Sequence, residues 1–191
     1  MSTSTASAAP AATRLVQAVI VRCDGDQRTS GLPPWSSTTI PADHPVFWGT
    51  TPPLASRLEI PIAIHCEGTQ STERADLDNQ FVTYLNIDPV TGMAPIPWQA
   101  GTIGTVVIAR KDRRPFLPQH FEALWEYALE ILDKFGDRDG PPLSMYNWQA
   151  FERWWKNRKL DAAAGREGQG KPGGALDPDD DWTDVKSPYE V

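Results

Sequence analysis

The sequence has few cysteines, no long apolar stretch and no excess of basic residues. Two cysteines among 191 residues cannot form the disulfide framework of a small secreted protein. There is no apolar run of the roughly 18 residues that a transmembrane helix needs, and the Ser-, Thr- and Ala-rich start lacks the features of a secretory signal. The net charge of −7 argues against a nucleic-acid-binding protein. We therefore expect an intracellular protein, cytoplasmic in the first place with the nucleus as the alternative, that binds neither membranes nor nucleic acid.

The charge is distributed unevenly along the chain. Residues 161–191 are Gly-rich and hold eight acidic and three basic residues, so residues 1–160 are nearly neutral. Residues 1–12 are almost entirely Ser, Thr, Ala and Pro. Neither end can bury enough apolar surface to offset the entropy cost of ordering. We expect a disordered N-terminal segment at 1–12, a single domain at 13–160 and a flexible acidic tail at 161–191.

The first half of the domain reads as strands and loops. Residues 15–21 and 103–109 are apolar on both faces, which is typical of inner strands in a sheet covered on both sides. Residues 58–64 alternate between apolar and other residues, which predicts a half-buried strand, and Pro61 predicts that this strand lies at an edge or carries a bulge. Residues 81–87 are β-branched and aromatic, which predicts a further strand.

Two other segments of the first half are rich in proline. Residues 27–56 hold six prolines and are interpreted as a long irregular connection pinned by Trp35 and Trp48. Residues 93–98 are interpreted as a short strand broken by proline. An Asp-Gly pair at 24–25 predicts a turn after the first strand.

The second half predicts two helices. Pro118 suits a first helical turn, and Gly136 suits a C-terminal cap. One apolar stripe lies between them: Phe121, Leu124, Trp125, Ala128, Leu129, Leu132 and Phe135. A second helix, capped by Ser144 or Asn147, buries Trp148, Phe151 and Trp155. The predicted fold is α+β, with a mainly antiparallel sheet of four to five strands and two C-terminal helices packed on one face.

Four stretches resemble a family of small uncharacterised proteins from mushroom-forming (basidiomycete) fungi. They are AVIVRCDGD at 18–26, QFVTYLNIDPVTG at 80–92, GTVVIARKDRRPFLPQHFEALW at 104–125 and AFERWW at 150–155. The third stretch is the most specific. The family has no assigned activity, so the resemblance implies a fungal source and an intracellular compartment and implies no catalytic residue.

Metal-ligating residues are few and poorly spaced. Cys23, His44, His65 and Cys66 lack the close pairs that are usual in zinc sites. The adjacent His65 and Cys66 would point to opposite faces of a strand. We expect no metal site and no cofactor.

Two sets of residues favour an enzyme as the alternative. Cys23 beside His65 or His120 would pair a thiol nucleophile with a base. Paired carboxylates can carry out glycoside hydrolysis, and acidic residues cluster in two predicted loops: Asp24 and Asp26, and Glu73, Asp76 and Asp78. The alternative function is therefore a small hydrolase that uses loop carboxylates or Cys23.

A local basic run follows the inner strand at 103–109. Arg110, Lys111, Arg113 and Arg114 lie just before the N-terminus of a predicted helix, and together these form a candidate anion site. Asp112 lies within the run and opposes such a site. A solvated loop is favoured first, an intramolecular contact with the acidic tail second, and a foreign anion third.

Tryptophan is the most distinctive residue type, with eight copies. Three of them lie at helical spacing and are expected in the core: Trp125, Trp148 and Trp155. Trp154 projects about 100° away from Trp155, so Trp154 with Trp98 or Trp35 is a candidate contact surface. Because no catalytic motif stands out, we expect a non-enzymatic module that binds an unidentified protein partner through this aromatic surface.

Overall fold

The computed structural model describes residues 14–67, 79–87, 104–135 and 146–163. These residues form four β-strands, five α-helices and one 3-10 helix. The strands are β1 (Leu15–Val21), β2 (Trp35–Pro41), β3 (Ile62–Cys66) and β4 (Val106–Arg110). The helices are α1 (Asp24–Ser30), α2 (Pro53–Arg57), α3 (Gln80–Leu85), α4 (Pro118–Phe135) and α5 (Trp148–Ala163), with the 3-10 helix at Pro45–Trp48.

The strands form one antiparallel sheet in the order β2-β1-β4-β3. The predicted α+β class with an antiparallel sheet is confirmed. β1 and β4 are the inner strands, as their apolar character on both faces predicts. β3 lies at an edge of the sheet. The strand predicted at 58–64 is only partly correct, because Leu58 caps the end of α2 and β3 begins at Ile62, just after Pro61.

Both faces of the sheet are covered. Alternate strand residues point to opposite faces, so Val19 and Ile108 join a large core with residues of α2, α3, α4 and α5. Ala18 and Val107 join a smaller core on the other face, which includes Val46 of the 3-10 helix. The sheet therefore holds α4 on one side while the 3-10 helix closes the other.

Residues 81–87 were predicted as a strand, and this prediction is wrong because they belong mainly to α3. Val82 and Leu85 are buried at a helical spacing of three. Asn79 caps the helix, since its side-chain oxygen accepts a hydrogen bond from the Val82 N–H at 3.2 Å. The cap and the packing of this face override the strand propensity of the β-branched residues.

Residues 27–56 are not the irregular connection that their prolines suggested. They hold most of α1, all of β2, the 3-10 helix and most of α2. Pro45 and Pro53 are the first residues of the 3-10 helix and of α2, where the missing N–H costs nothing. The Asp-Gly pair at 24–25 begins α1 rather than a turn.

The buried face of α4 differs in part from the predicted stripe. Phe121, Leu124 and Ala128 are buried as expected, whereas Trp125 is half-buried. Leu129 and Leu132 are also half-buried. Their place in the core is taken by Tyr127, which packs on Phe151 of α5, and by Ile131. The helix is therefore rotated relative to the prediction, and one apolar edge of α4 is left partly accessible.

Several predictions fall outside the described residues. The segment at 1–12, the strand at 93–98 and the tail beyond residue 163 are among them. The backbone of α5 extends to Ala163, three residues past the predicted domain boundary. Within the described ranges, no helix is long and apolar enough to cross a membrane.

We expect Gly49→Ala to lower the free energy of unfolding by about 1–3 kcal/mol. A Cβ at this position would overlap the Ile64 carbonyl oxygen and would lie 3.0 Å from the Val46 carbonyl oxygen. Both obstacles are backbone atoms, so the 3-10 helix would have to move away from β3. Urea unfolding monitored by circular dichroism measures the effect. Thr50→Ala, at the exposed next position, is the control, and equal stability of the two variants would contradict this close approach.

Candidate functional site

Two of the three tryptophans predicted to form a contact surface are described, and Trp98 lies outside the described residues. Trp35 is half-buried at the start of β2. Its ring centroid lies 5.0 Å from that of Phe81, 5.3 Å from that of Phe121 and 5.6 Å from that of Trp125. Trp35 thus belongs to an aromatic cluster between β2, α3 and α4 and supports Trp125 from behind.

Trp154 on α5 is half-buried between two helices. Its ring stacks on Phe151 with centroids 5.8 Å apart and lies 5.1 Å from the Tyr127 ring. Another part of the Trp154 side chain lines a cavity together with Trp125. The aromatic rings that the structure brings to one surface are therefore Trp125 and Trp154.

This cavity has a volume of about 780 Å³ and runs along α4, so we call it the α4 groove. Side chains of α3, α4 and α5 contribute to its walls, including Tyr84, Glu122, Trp125, Glu126, Trp154 and Arg158. Its volume lies in the range of sites that bind small molecules or peptide side chains.

The lining residues of α4 recur every three or four positions, from residue 122 to residue 133. Residues at this spacing lie on one side of a helix. The adjacent side of α4 is fixed in the core by Phe121, Leu124 and Ala128. The side chains of the groove are therefore mounted on a rigid element rather than on a loop.

The α4 groove is acidic. Its carboxylates all come from α4: Glu122, Glu126, Glu130 and Asp133. Arg158 is the one cation among the described residues that line it. Glu130 makes an ion pair with Lys134 one turn along the helix. The lining therefore carries an excess of negative charge.

Arg158 shows how the groove accommodates a cation. The Arg158 guanidinium lies 5.7 Å from the centroid of the Trp154 ring. Its Nε atom is 2.8 Å from Glu126 Oε2, an ion pair without the alignment of a hydrogen bond. An aromatic face and a carboxylate thus hold one guanidinium between α4 and α5.

Glu122 is a further carboxylate of the α4 groove and is half-buried. Burial raises the pKa of Glu122, the negative charge of Glu126 raises it further, and Arg158 partly opposes both. The ionised form of Glu122 is therefore less favourable than that of an ordinary glutamate, and a cation placed next to it would stabilise this form.

No family model, no curated protein and no solved structure matches this chain. The function is consequently inferred from the side chains of the groove and from the contacts that the other predicted site residues make. Trp125 and the carboxylates of α4 were missed by the sequence analysis as site residues. The recurrence of acidic residues at 122, 126, 130 and 133 is the signal that marks this face.

Two arginines of the basic run bind the carboxylate of Asp112, which lies within the same run. Arg110 is fully buried, and its Nε donates to Asp112 Oδ1 at 2.9 Å. Arg114 Nε donates to Asp112 Oδ2 at 2.9 Å, and the Arg114 backbone N–H donates to Oδ1 at 3.1 Å. Burial alone would raise the pKa of Asp112, but these hydrogen bonds outweigh it and leave the pKa lowered. Asp112 therefore occupies the place that an external phosphate would take between the two arginines.

The other two bases of the run are exposed. Lys111 follows the end of β4. Arg113 adopts a positive φ of 61° and lies over the Phe47 ring, 5.4 Å from its centroid. The contact of this run with the acidic tail falls outside the described residues and stays a prediction.

Cys23 is buried at the N-cap of α1. Its sulfur accepts from the Thr105 hydroxyl at 3.8 Å, and its N–H donates to the same oxygen at 3.3 Å. The Thr105 hydroxyl also bonds to Asp26. A threonine, rather than His65 or His120, thus lies against the thiol, so these contacts provide no base to activate it.

Of the carboxylates considered for hydrolysis, Glu73, Asp76 and Asp78 lie outside the described residues. Asp24 lies in the first turn of α1. His44 is held between Glu67, 3.0 Å from its Nε2, and the Val46 N–H, which donates to Nδ1 at 3.2 Å. No disulfide joins Cys23 and Cys66. Among the described residues, no group of three or more His, Cys, Asp or Glu could hold a metal ion.

Proposed function

We propose that this protein is a protein-interaction module whose partner binds in the α4 groove. The observation that carries the proposal is the pair of half-exposed tryptophans, Trp125 and Trp154, which line one cavity of about 780 Å³. Tryptophans in pockets rimmed by polar residues dominate the binding energy of many protein interfaces. The predicted aromatic surface is thereby moved from Trp35 and Trp98 to Trp125, with Trp154 retained.

The packing of the two rings supports this role. Trp125 is backed by Trp35 and Phe81, and Trp154 is backed by Phe151 and Tyr127. Rings fixed in this way lose little conformational entropy when a partner binds. These tilted, edge-on and stacked ring contacts hold each indole in one orientation, so the groove is pre-organised.

The test is site-specific photo-crosslinking in an extract of the source organism. A photoreactive phenylalanine analogue at Leu129, inside the groove, is expected to capture a protein partner. The same analogue at Thr39, an exposed position on β2, is the control and is expected to capture nothing. Trp125→Ala should reduce the captured fraction by about tenfold, as expected for a hot-spot tryptophan. Equal capture from both positions, or capture that survives Trp125→Ala, would contradict the proposal.

A small hydrolase is the second candidate, and one observation favours it. Glu122 and Glu126 share the groove, and the raised pKa of Glu122 favours the protonated form that a general acid requires. Arg158 engages Glu126 and leaves it less suited to act as a base. Turnover of chromogenic glycosides or esters that disappears in Glu122→Gln would support the hydrolase over the module.

The source and the compartment are proposed on the resemblance alone. A fungal, intracellular protein without a cofactor is consistent with an interaction module. Two alkylated thiols, counted by intact mass after the protein is unfolded without reductant, would agree with a reducing compartment.

A further inference from the structure

The α4 groove combines two chemical features that together select a particular ligand. Its walls are aromatic, through Trp125, Trp154 and Tyr84, and its charge is negative, through the carboxylates of α4. Aromatic faces and carboxylates both attract cations, whereas an acidic ligand would be repelled by the excess negative charge.

One cation of the chain already uses this combination. The Arg158 guanidinium lies over Trp154 and against Glu126. This arrangement shows that an indole and a carboxylate of the groove wall can together hold a planar guanidinium.

The neighbouring part of the groove repeats the same pair of groups. Trp125 and Glu122 are three residues apart on α4, so both lie on the side of the helix that faces the groove. Glu122 is half-buried, and burial is the main cause of its raised pKa; the charge of Glu126 raises this pKa further, and Arg158 opposes both. A second cation at this point would stabilise the ionised form of Glu122.

We propose that the α4 groove binds an arginine-bearing segment of a partner protein, with the arginine side chain between Trp125 and Glu122. This inference rests on the proposed function and names the partner's chemistry. Arginine fits better than lysine because its planar guanidinium can stack on an indole while it donates two parallel hydrogen bonds to a carboxylate.

The experiment measures binding of a fluorescein-labelled peptide of alternating glycine and arginine to the full-length protein by fluorescence anisotropy. The matched probe replaces each arginine by citrulline, which keeps the shape and removes the charge. We expect the citrulline peptide to bind about tenfold more weakly, corresponding to the loss of a cation–π contact and an ion pair.

Because the chain also has an acidic tail, protein variants decide where the peptide binds. Glu122→Gln keeps the size of the side chain and should weaken binding of the arginine peptide about tenfold. Asp43→Asn removes one negative charge at an exposed position away from the groove and should change the affinity by less than about twofold. Unchanged circular dichroism and melting temperature would show that both variants fold.

The outcomes separate this inference from the proposed function. Equal binding of the arginine and citrulline peptides, or equal effects of the two variants, would overturn the inference. If, in either case, the Leu129 crosslink to a protein partner is still observed, the interaction module stands with a different ligand chemistry. Binding of a neutral oligosaccharide in place of the peptide, with no protein crosslink, would overturn both.

Discussion

Asp112→Ala is expected to lower the free energy of unfolding by about 3–5 kcal/mol. The reason is the fully buried Arg110 guanidinium, which Asp112 binds through both carboxylate oxygens. Removal of that carboxylate takes away the counter-charge of a cation shielded from water. The loss also releases Arg114, whose side chain and backbone N–H both donate to Asp112. Urea denaturation monitored by tryptophan fluorescence measures the change.

A double-mutant cycle tests whether the buried charge is the cause. Arg110→Met removes the cation while its long side chain fills a similar volume, so the double variant should be less destabilised than the sum of the two single variants. Glu152→Gln is the control for an exposed pair, since Glu152 bonds to Lys156 at 3.1 Å on the surface of α5. It should cost at most about 1 kcal/mol. If the effects of Asp112→Ala and Arg110→Met were additive, the buried charge of Arg110 would not be the cause of the destabilisation.

The same pair predicts how stability depends on pH. The ordinary pKa of an aspartate carboxyl is 3.8; burial would raise the pKa of Asp112, but its hydrogen bonds to Arg110 and Arg114 outweigh burial and lower it in the folded protein. A carboxyl whose pKa is lower when folded contributes its full stabilisation above the ordinary pKa and loses it as the pH falls through the folded-state value. The stability difference between the parent and Asp112→Asn should therefore be large at neutral pH and should shrink below the ordinary value.

The two inner strands of the sheet could be predicted because the pattern that identifies them lies within their own residues. β1 and β4 are apolar on both faces, and the burial of their residues follows directly from that pattern. β2 could not be recognised, since it is made mainly of Ser and Thr and owes its extended form to its register with β1 along seven residue pairs. A strand stabilised by its neighbour leaves little trace in its own sequence.

The candidate site was only partly predictable for a related reason. The sequence identified Trp154 because two adjacent tryptophans on a helix cannot both face the same side. It placed Trp125 in the core, because the spacing of the apolar residues does not reveal which neighbour covers each edge of α4. The contact of Tyr127 with Phe151 decides that rotation, and it joins residues that are 24 positions apart. Long-range packing of this kind is absent from a local pattern.

We expect Asn79→Asp to be at least as destabilising as Asn79→Ala, with a loss of about 3–5 kcal/mol in each case. Asn79 is fully buried, and its Nδ2 group donates to the carbonyl oxygens of Val21 and Gly104, each at 3.1 Å. Its Oδ1 accepts from the Val82 N–H. Asn79 therefore ties the end of β1 and the residues before β4 to the start of α3.

The aspartate variant separates this bridging role from simple helix capping. Asp and Asn are equally good N-caps, so a capping role alone predicts that Asn79→Asp is tolerated. A carboxylate at this position would instead face two carbonyl oxygens with no proton to donate, and both acceptors would lose their bonds in a buried environment.

Asn147 provides the matched control, because its Oδ1 caps α5 by accepting from the Ala150 N–H at 3.0 Å in a less buried position. Asn147→Asp should change the free energy of unfolding by less than about 0.5 kcal/mol. If both Asp variants proved equally stable in urea denaturation, Asn79 would be a cap only, and the link between β1, β4 and α3 would have to rest on the apolar contacts of Val82 and Leu85.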